Sequence, residues 1–249
     1  MRTKKQGMDL VIDIGNTLHK IAVFDKENIL FSCQYEKLEA EELTSVLNTY
    51  PISRSILSSV TENYEELAAI LESRSEYIRY DRNVLLPISI DYETGHTLGP
   101  DRIANAVAAN SRFPSQNVLS VQSGTCLVYD FIDERGVYQG GAISPGLEMR
   151  FKALRHFTHK LPLVTLKEID HFIGRSTQQS MESGVINGVI HEINGFITQY
   201  ENQYPGIRVL LSGGDSGYLQ KSIKNAIFVG SNFILFGLHE ILKLNAHQE

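Results

Sequence analysis

The chain has 249 residues, 42% hydrophobic and 21% charged, with a formal net charge of −6. That length holds one large domain or two small ones with an ample core. The acidic balance leaves no basic face for DNA or RNA, and no run approaches the ~20 apolar residues of a membrane span. The N-terminus has no apolar signal-peptide core, so a cytoplasmic protein with no membrane partner is expected. Arg2, Lys4 and Lys5 read as a frayed tail, and Met8, directly before the first apolar run, reads as an alternative start. Cys33 and Cys126, far apart in sequence, are expected as reduced thiols.

In chain order, Val11-Ile12-Asp13-Ile14 and Ile21-Ala22-Val23-Phe24 flank a Gly15-Asn16-Thr17 corner, which predicts a strand, a tight turn and an antiparallel return strand. Residues 29–35 read as a third strand, residues 39–48 as a helix striped by Leu43 and Leu47, and residues 55–60 as a buried strand. Thr61 is the expected N-cap of a helix faced by Tyr64, Leu67, Ala68 and Leu71. Strands and helices in this order predict an α/β fold with a mixed sheet. A helix over 101–113 marks the expected division of the chain. A second set runs from Val118 to Val121, through Cys126 to Phe131, and back through Val137 to Ile143. A long, mostly polar helix is expected over 178–200. The strand Val209–Leu211 then leads through Gly213-Gly214 into a short helix.

Several of these turns can carry chemistry. Gly15 lets the backbone approach a ligand, and Asn16, Thr17 and Lys20 bring donors to a corner whose N–H groups can cradle an anion. Asp13, at the end of a buried strand beside a phosphate-sized concavity, suits Mg²⁺ held against phosphates; the plain alternative is a hairpin whose acid caps a turn. Gly99-Pro100-Asp101-Arg102 opens a helix, where Asp101 either caps the first turn or takes a proton from a hydroxyl beside an Arg fit for a carboxylate. Gln122-Ser123-Gly124-Thr125 reads as a second phosphate loop or a simple hairpin turn. Gly140 to Gly146 and Ser212-Gly213-Gly214-Asp215 are further glycine turns, at a helix start and after an apolar strand. His156 and His159 lack the partners of a zinc site. No P-loop, dinucleotide fingerprint or serine-hydrolase elbow is present.

Together these motifs resemble the type III pantothenate kinases, of the acetate and sugar kinase, heat-shock chaperone and actin superfamily. The resemblance runs from Asp13-Ile14-Gly15-Asn16-Thr17 to Ser212-Gly213-Gly214. Between them lie Gly99-Pro100-Asp101-Arg102, Gly124-Thr125, the run from Gly140 to Leu147, Thr158 to Pro162, and Gly174-Arg175-Ser176-Thr177. It implies two actin-like (ribonuclease H-like) subdomains, 8–113 and 114–249, with ATP in the cleft between them, and a homodimer. It implies transfer of the ATP γ-phosphate to the hydroxyl of pantothenate, the first step toward coenzyme A. By motif, Asp13, Ile14, Gly15, Asn16, Thr17, Leu18, His19, Lys20 and Thr125 bind ATP, with Asp13 on Mg²⁺. Asp101 is the implied general base. Tyr92, Gly99, Pro100, Asp101, Arg102 and Thr177 are the implied pantothenate contacts, Thr177 near the dimer partner.

The chain departs from the family's pattern at the second phosphate loop. Gln122 stands where the family has an Asp that helps hold an activating monovalent cation, K⁺ or NH₄⁺, and Leu127 and Val128 stand where Thr is common, while Asp130 is kept. An amide oxygen still ligates a cation but brings no charge, so the resemblance implies altered cation dependence. Gly95 stands where Pro or Asn is frequent near Tyr92. Two other readings stay open at this point, a non-catalytic regulatory or binding member of the family and a superfamily kinase acting on another small substrate such as a sugar.

Overall fold

The computed structural model describes residues 7–61, 64–81 and 83–246, so the basic tail of Arg2, Lys4 and Lys5 lies outside the described residues. The elements run β1 (Met8–Ile14), β2 (His19–Asp25), β3 (Asn28–Tyr35), α1 (Ala40–Thr49), β4 (Ile52–Ser59), α2 (Glu65–Arg74), β5 (Glu76–Arg79), β6 (Ser89–Ile90) and α3 (Pro100–Arg112). They continue β7 (Val118–Ser123), β8 (Cys126–Ile132), β9 (Val137–Pro145), α4 (Leu147–Phe157), α5 (Thr177–Gln203), β10 (Arg208–Ser212), α6 (Ser216–Leu219), β11 (Ala226–Gly230) and α7 (Phe233–Asn245). The chain forms two compact units, one of residues 1–112 with 232–249 and the other of 113–231. Residues 232–249, expected from the sequence with the second half, therefore belong to the first unit.

In the first unit the sheet order is β3-β2-β1-β4-β5, antiparallel from β3 to β1 and parallel beyond. β1 is the central strand, and nearly every residue in it is buried, as a continuous apolar run demands. Leu10, Ile12 and Ile14 pack on one face with Leu43, Leu47, Leu67 and Leu71 of α1 and α2. α1 starts where expected, and Glu42 returns its carboxylate to the Glu39 N–H at 3.1 Å, half of a capping box. The N-terminus of α2 differs from expectation. Thr61 N–H donates to Ser59 Oγ at 3.0 Å and its carbonyl accepts from the same hydroxyl at 2.8 Å, which ties it back to β4, so the helix begins at Glu65 after Tyr64.

α7 covers the sheet together with α3. The two helices touch so closely that a Cβ on Gly237 would lie 1.8 Å from the Ala104 carbonyl oxygen, which only glycine permits. α7 is fastened to the sheet by buried His239, whose Nε2 lies 2.9 Å from Asp9 Oδ2 and whose ring stacks on Phe24 at 4.1 Å. Arg54 on β4 donates two further bonds to the same carboxylate, at 2.7 and 2.6 Å.

The strands of the second unit run β11-β10-β7-β8-β9, again antiparallel on one side of the centre and parallel on the other. α5 exceeds its expected span at both ends. Its Met181, Val185, Val189, Ile193 and Ile197 recur every fourth residue and bury one stripe against β7, β8 and β10.

Candidate active site

The β1–β2 hairpin closes with Gly15 N–H donating to the Leu18 carbonyl at 3.2 Å, leaving Asn16, Thr17 and Leu18 exposed at the tip. Just inside it, Asp13 sits between Lys20 on β2 and Ser58 on β4, its partners in register. Asp13 is buried, and its Oδ1 meets no hydrogen-bond donor among the described residues. Burial pushes its carboxyl up to about 7, against the pull of Lys20 and with a further push from Asp101. Lys20 is drawn down by burial and held up by Asp13. His19 accepts the Leu38 N–H on Nδ1 at 3.1 Å, so the neutral ring carries its proton on Nε2. Burial and Lys37 hold this imidazole below its ordinary value.

Asp101 reaches the same neighbourhood from the first turn of α3. Gly99 accepts the N–H groups of Arg102 and Ile103, at 3.2 and 3.3 Å, and so closes the turn. A Cβ on Gly99 would meet Asp101 Oδ1 at 2.3 Å, so the missing side chain is what leaves the carboxylate its place. A pocket of about 550 Å³ opens alongside, lined by Ser59, Tyr80, Tyr92, Leu98, Pro100 and Ile103. Buried Arg102 lies over the Tyr92 ring at 5.8 Å. The first unit thus gathers Asp13, Lys20 and Asp101 into one electrostatic cluster, with Tyr92 and Arg102 at its pocket. Sequence reasoning missed Tyr80, a phenol pushed up by burial and by Asp101, and Ser58, whose buried hydroxyl has no hydrogen-bond partner among the described residues. Strand register alone brings Ser58 to Asp13, and the sequence carries no signal for it.

The second unit repeats the turn at 123–126, where Gly124 N–H donates to the Cys126 carbonyl at 3.0 Å. The two other glycine turns converge on it. A Cβ on Gly146 would lie 2.0 Å from the Gly124 oxygen, and one on Gly213, at φ +95°, would lie 2.1 Å from the Ser123 oxygen. Asp215 N–H donates to that Ser123 oxygen at 3.1 Å, and burial raises its carboxyl against the Ser123 hydroxyl. Thr125 is exposed at the tip, while Gln122 lies in β7 between Val128 and Ser212. Thr177 starts α5, and Ser176 caps the helix by accepting the Gln179 N–H at 3.2 Å. Thr177 lines a separate pocket of about 1230 Å³ with Arg150, Leu154, Phe157, Arg175 and Met181, to which neither Gln122 nor Thr125 contributes.

The architecture is the actin-like α/β fold. A ROK family glucokinase from Streptomyces griseus, solved with glucose and AMPPNP, superposes with a TM-score of 0.52 at 11% identity, over 96% of this chain and 100% of that one. A protein of Campylobacter jejuni described as a Baf family transcriptional activator gives a TM-score of 0.58 at 21% identity, over 95% and 98%. At such identities the likeness speaks for the fold alone. The sequence speaks for the family. The family model for type III pantothenate kinase matches residues 9–199. A protein of Christiangramia forsetii named type III pantothenate kinase is 45% identical over 243 residues, 97% of this chain and 100% of the relative. The chain belongs to the type III pantothenate kinase family.

Proposed function

We propose that this chain transfers the γ-phosphate of ATP to the hydroxyl of pantothenate, giving 4'-phosphopantothenate, with Asp101 as the general base. The observation that carries this reading is the cluster of Asp13, Lys20 and Asp101, in which a buried carboxylate with an unmet oxygen faces a lysine at a glycine turn. Phosphoryl transfer asks mainly for positioning and charge neutralisation. An unmatched buried carboxylate of raised pKa fits a divalent cation, so Asp13 is the residue that would hold Mg²⁺. Mg²⁺, when bound, supplies neutralisation of the phosphate oxygens.

Gly15 to Lys20 present backbone N–H groups, hydroxyl and ammonium donors to the phosphates, and Thr125 contributes from the second turn. Asp101 takes the proton of the pantothenate hydroxyl as that oxygen bonds to the γ-phosphorus. The bond from phosphorus to the β–γ bridging oxygen breaks, and ADP leaves with that electron pair. Tyr92, Gly99, Pro100 and Arg102 hold pantothenate beside Asp101, with Arg102 suited to its carboxylate. Thr177, near the dimer partner in the family's pattern, is a further pantothenate contact. Gln122 is the candidate ligand for K⁺ or NH₄⁺ and brings no charge. A homodimer is supported by exposed Phe157, Phe172 and Ile173, and a cytoplasmic setting by a first reaction on the route to coenzyme A.

The test is coupled ADP release with pantothenate and Mg-ATP, in K⁺ and in Na⁺, for the wild type and Asp101→Ala. Pantothenate-dependent turnover that collapses in the variant is expected. A folded protein that binds ATP but turns over nothing in either salt would overturn the assignment and favour a binding role.

A further inference from the structure

Between α4 and α5 the chain runs from 158 to 176 without helix or strand, yet the second half of this strap, from Lys167 on, is fastened to α5. Lys167 Nζ reaches Glu182 Oε1 at 2.9 Å, and Gln178 Nε2 donates to the same oxygen at 2.8 Å. His171 Nε2 lies 3.2 Å from the Gln179 carbonyl oxygen and 3.8 Å from Glu182 Oε2. The Phe172 carbonyl accepts from Ser183 Oγ, and Asn187 Nδ2 donates to that hydroxyl at 3.0 Å. At Gly174 the two backbones meet, since a Cβ there would lie 2.3 Å from the Ser180 nitrogen.

The α5 residues in these bonds are 178, 179, 182, 183 and 187. Those lining the large pocket are 177, 180, 181, 184 and 185. At 3.6 residues per turn the two sets fall on opposite halves of the helix. α4 supplies a second wall through Arg150, Leu154 and Phe157, and the strap a third from both its ends, through Thr158, Leu161 and Gly174 to Ser176. Glu182 is the centre of the fastening, a fully buried carboxylate whose only ammonium partner, among the described residues, comes from the strap. Burial works to raise its carboxyl, but the bonds from Lys167 and Gln178 outweigh that and keep it ionised. Lys167 is itself half exposed, so the pair joins a buried carboxylate to a lysine at the surface of the strap and fixes where the strap lies.

We propose that Glu182 is a positioning residue for pantothenate, pinning the 158–176 strap through Lys167 so that the segment leading into Thr177 keeps the shape in which Thr177 meets the substrate. This rests on the reading that Thr177 contacts pantothenate. Glu182 touches no substrate and acts through the strap.

The experiment compares wild type, Thr177→Ala, Glu182→Gln and the double variant Glu182→Met with Lys167→Met. It reads pantothenate KM, ATP KM and kcat, together with amide hydrogen exchange across 164–173. The double variant removes the buried carboxylate together with its ammonium partner, so no charge is left buried alone, and it is the variant expected to fold where Glu182→Gln does not. Loosening the wall by a fraction of an ångström to an ångström is expected to raise pantothenate KM about tenfold in both Glu182 variants, with ATP KM unchanged. Exchange across 164–173 should quicken at the same time. Glu182→Asp, which keeps the charge, should recover part of the affinity. A raised KM in Thr177→Ala with unchanged KM and exchange in the double variant would overturn the proposal. Unchanged KM in Thr177→Ala would instead remove the substrate reading beneath it. A parallel fall of kcat with both KM values constant would assign Glu182 to folding alone and equally overturn it.

Discussion

Replacing Asp13 with asparagine separates the cost of burying this acid from its use. In the folded chain the carboxyl is pushed up to about 7 from an ordinary 3.8, by burial first, then tempered by Lys20 and pushed again by Asp101. The folded state therefore binds this proton more tightly than the unfolded chain. With the folded value the higher, stability is greatest below about 4 and falls as pH rises toward 7. At ~1.4 kcal/mol per pH unit, on the order of 4 kcal/mol is lost by pH 8, of which ~2.5 kcal/mol disappears between pH 5 and pH 8.

Asparagine does not ionise, and whatever its amide costs in that site is the same at every pH. The stability of Asp13→Asn relative to wild type should therefore grow by ~2.5 kcal/mol from pH 5 to pH 8. For a chain of this size that is ~5–10 °C in Tm. Calorimetric unfolding without Mg²⁺ or nucleotide reads it directly. Adding Mg-ATP should then raise the Tm of the wild type and leave the variant where it was. Parallel pH curves for the two proteins would refute the account, because they would mean that the carboxyl is already ionised in the folded chain at pH 5.

Three further outcomes follow from the same geometry. Asp101→Asn should lower kcat by ~10²–10⁴-fold while ATP binding, read by calorimetric titration, stays intact. Gly213→Ala forces a Cβ to 2.1 Å from the Ser123 oxygen at a φ of +95°, so it should raise ATP KM through the Gly124 turn and leave pantothenate KM alone. Asp9→Ala strips both Arg54 and buried His239 of their carboxylate and should cost ~3–5 kcal/mol in urea unfolding at pH 7. Burial works to raise Asp9, but its hydrogen bonds from His239 and Arg54 outweigh it. Its contribution is thus complete above 3.8 and fades as pH falls through the lower folded value.

The two hairpins were legible because each is a pair of apolar runs around a glycine, a pattern set by local geometry alone. α3 was legible for the same reason, an alanine-rich period opened by Gly-Pro-Asp. α7 was not, since apolar Phe236 and Leu244 stand exposed beside Glu240 and Lys243 on its outer face, opposite buried Ile234, Leu238, Ile241 and Leu242, and so blur the helical period. The start of α2 was misplaced because Thr61 spends its hydrogen bonds on Ser59, a competition invisible in a capping pattern. At the site, Asp13, Lys20, Asp101 and Arg102 stood out as residue types at turns. Ser58 and Tyr80 did not, because strand register and tertiary approach bring them in. Glu182 reads in sequence as one more polar residue on a long helix, and only the strap folding over it makes it a buried charge.

The two units share one strand plan, and superposing their registers explains the neutral second loop. Asp13 lies two residues before Gly15, flanked by Lys20 and Ser58; Gln122 lies two residues before Gly124, flanked by Val128 and Ser212. Gln122 is thus the counterpart of Asp13, Val128 of Lys20 and Ser212 of Ser58, and both serine hydroxyls are buried without a hydrogen-bond partner among the described residues. The acid–lysine pair stands in the first unit and is replaced by an amide and a valine in the second. Gln122→Asp would restore the acid without its lysine, leaving a carboxylate that needs a cation from solution. Binding K⁺ with a Kd near 10 mM would then stabilise the variant by ~1.4 kcal/mol at 100 mM, or ~3–6 °C, against a choline control. The wild type, with no charge at that position, should show a smaller shift. Equal shifts in both proteins would mean that K⁺ acts elsewhere, and that the amide at Gln122 is not what sets the cation response.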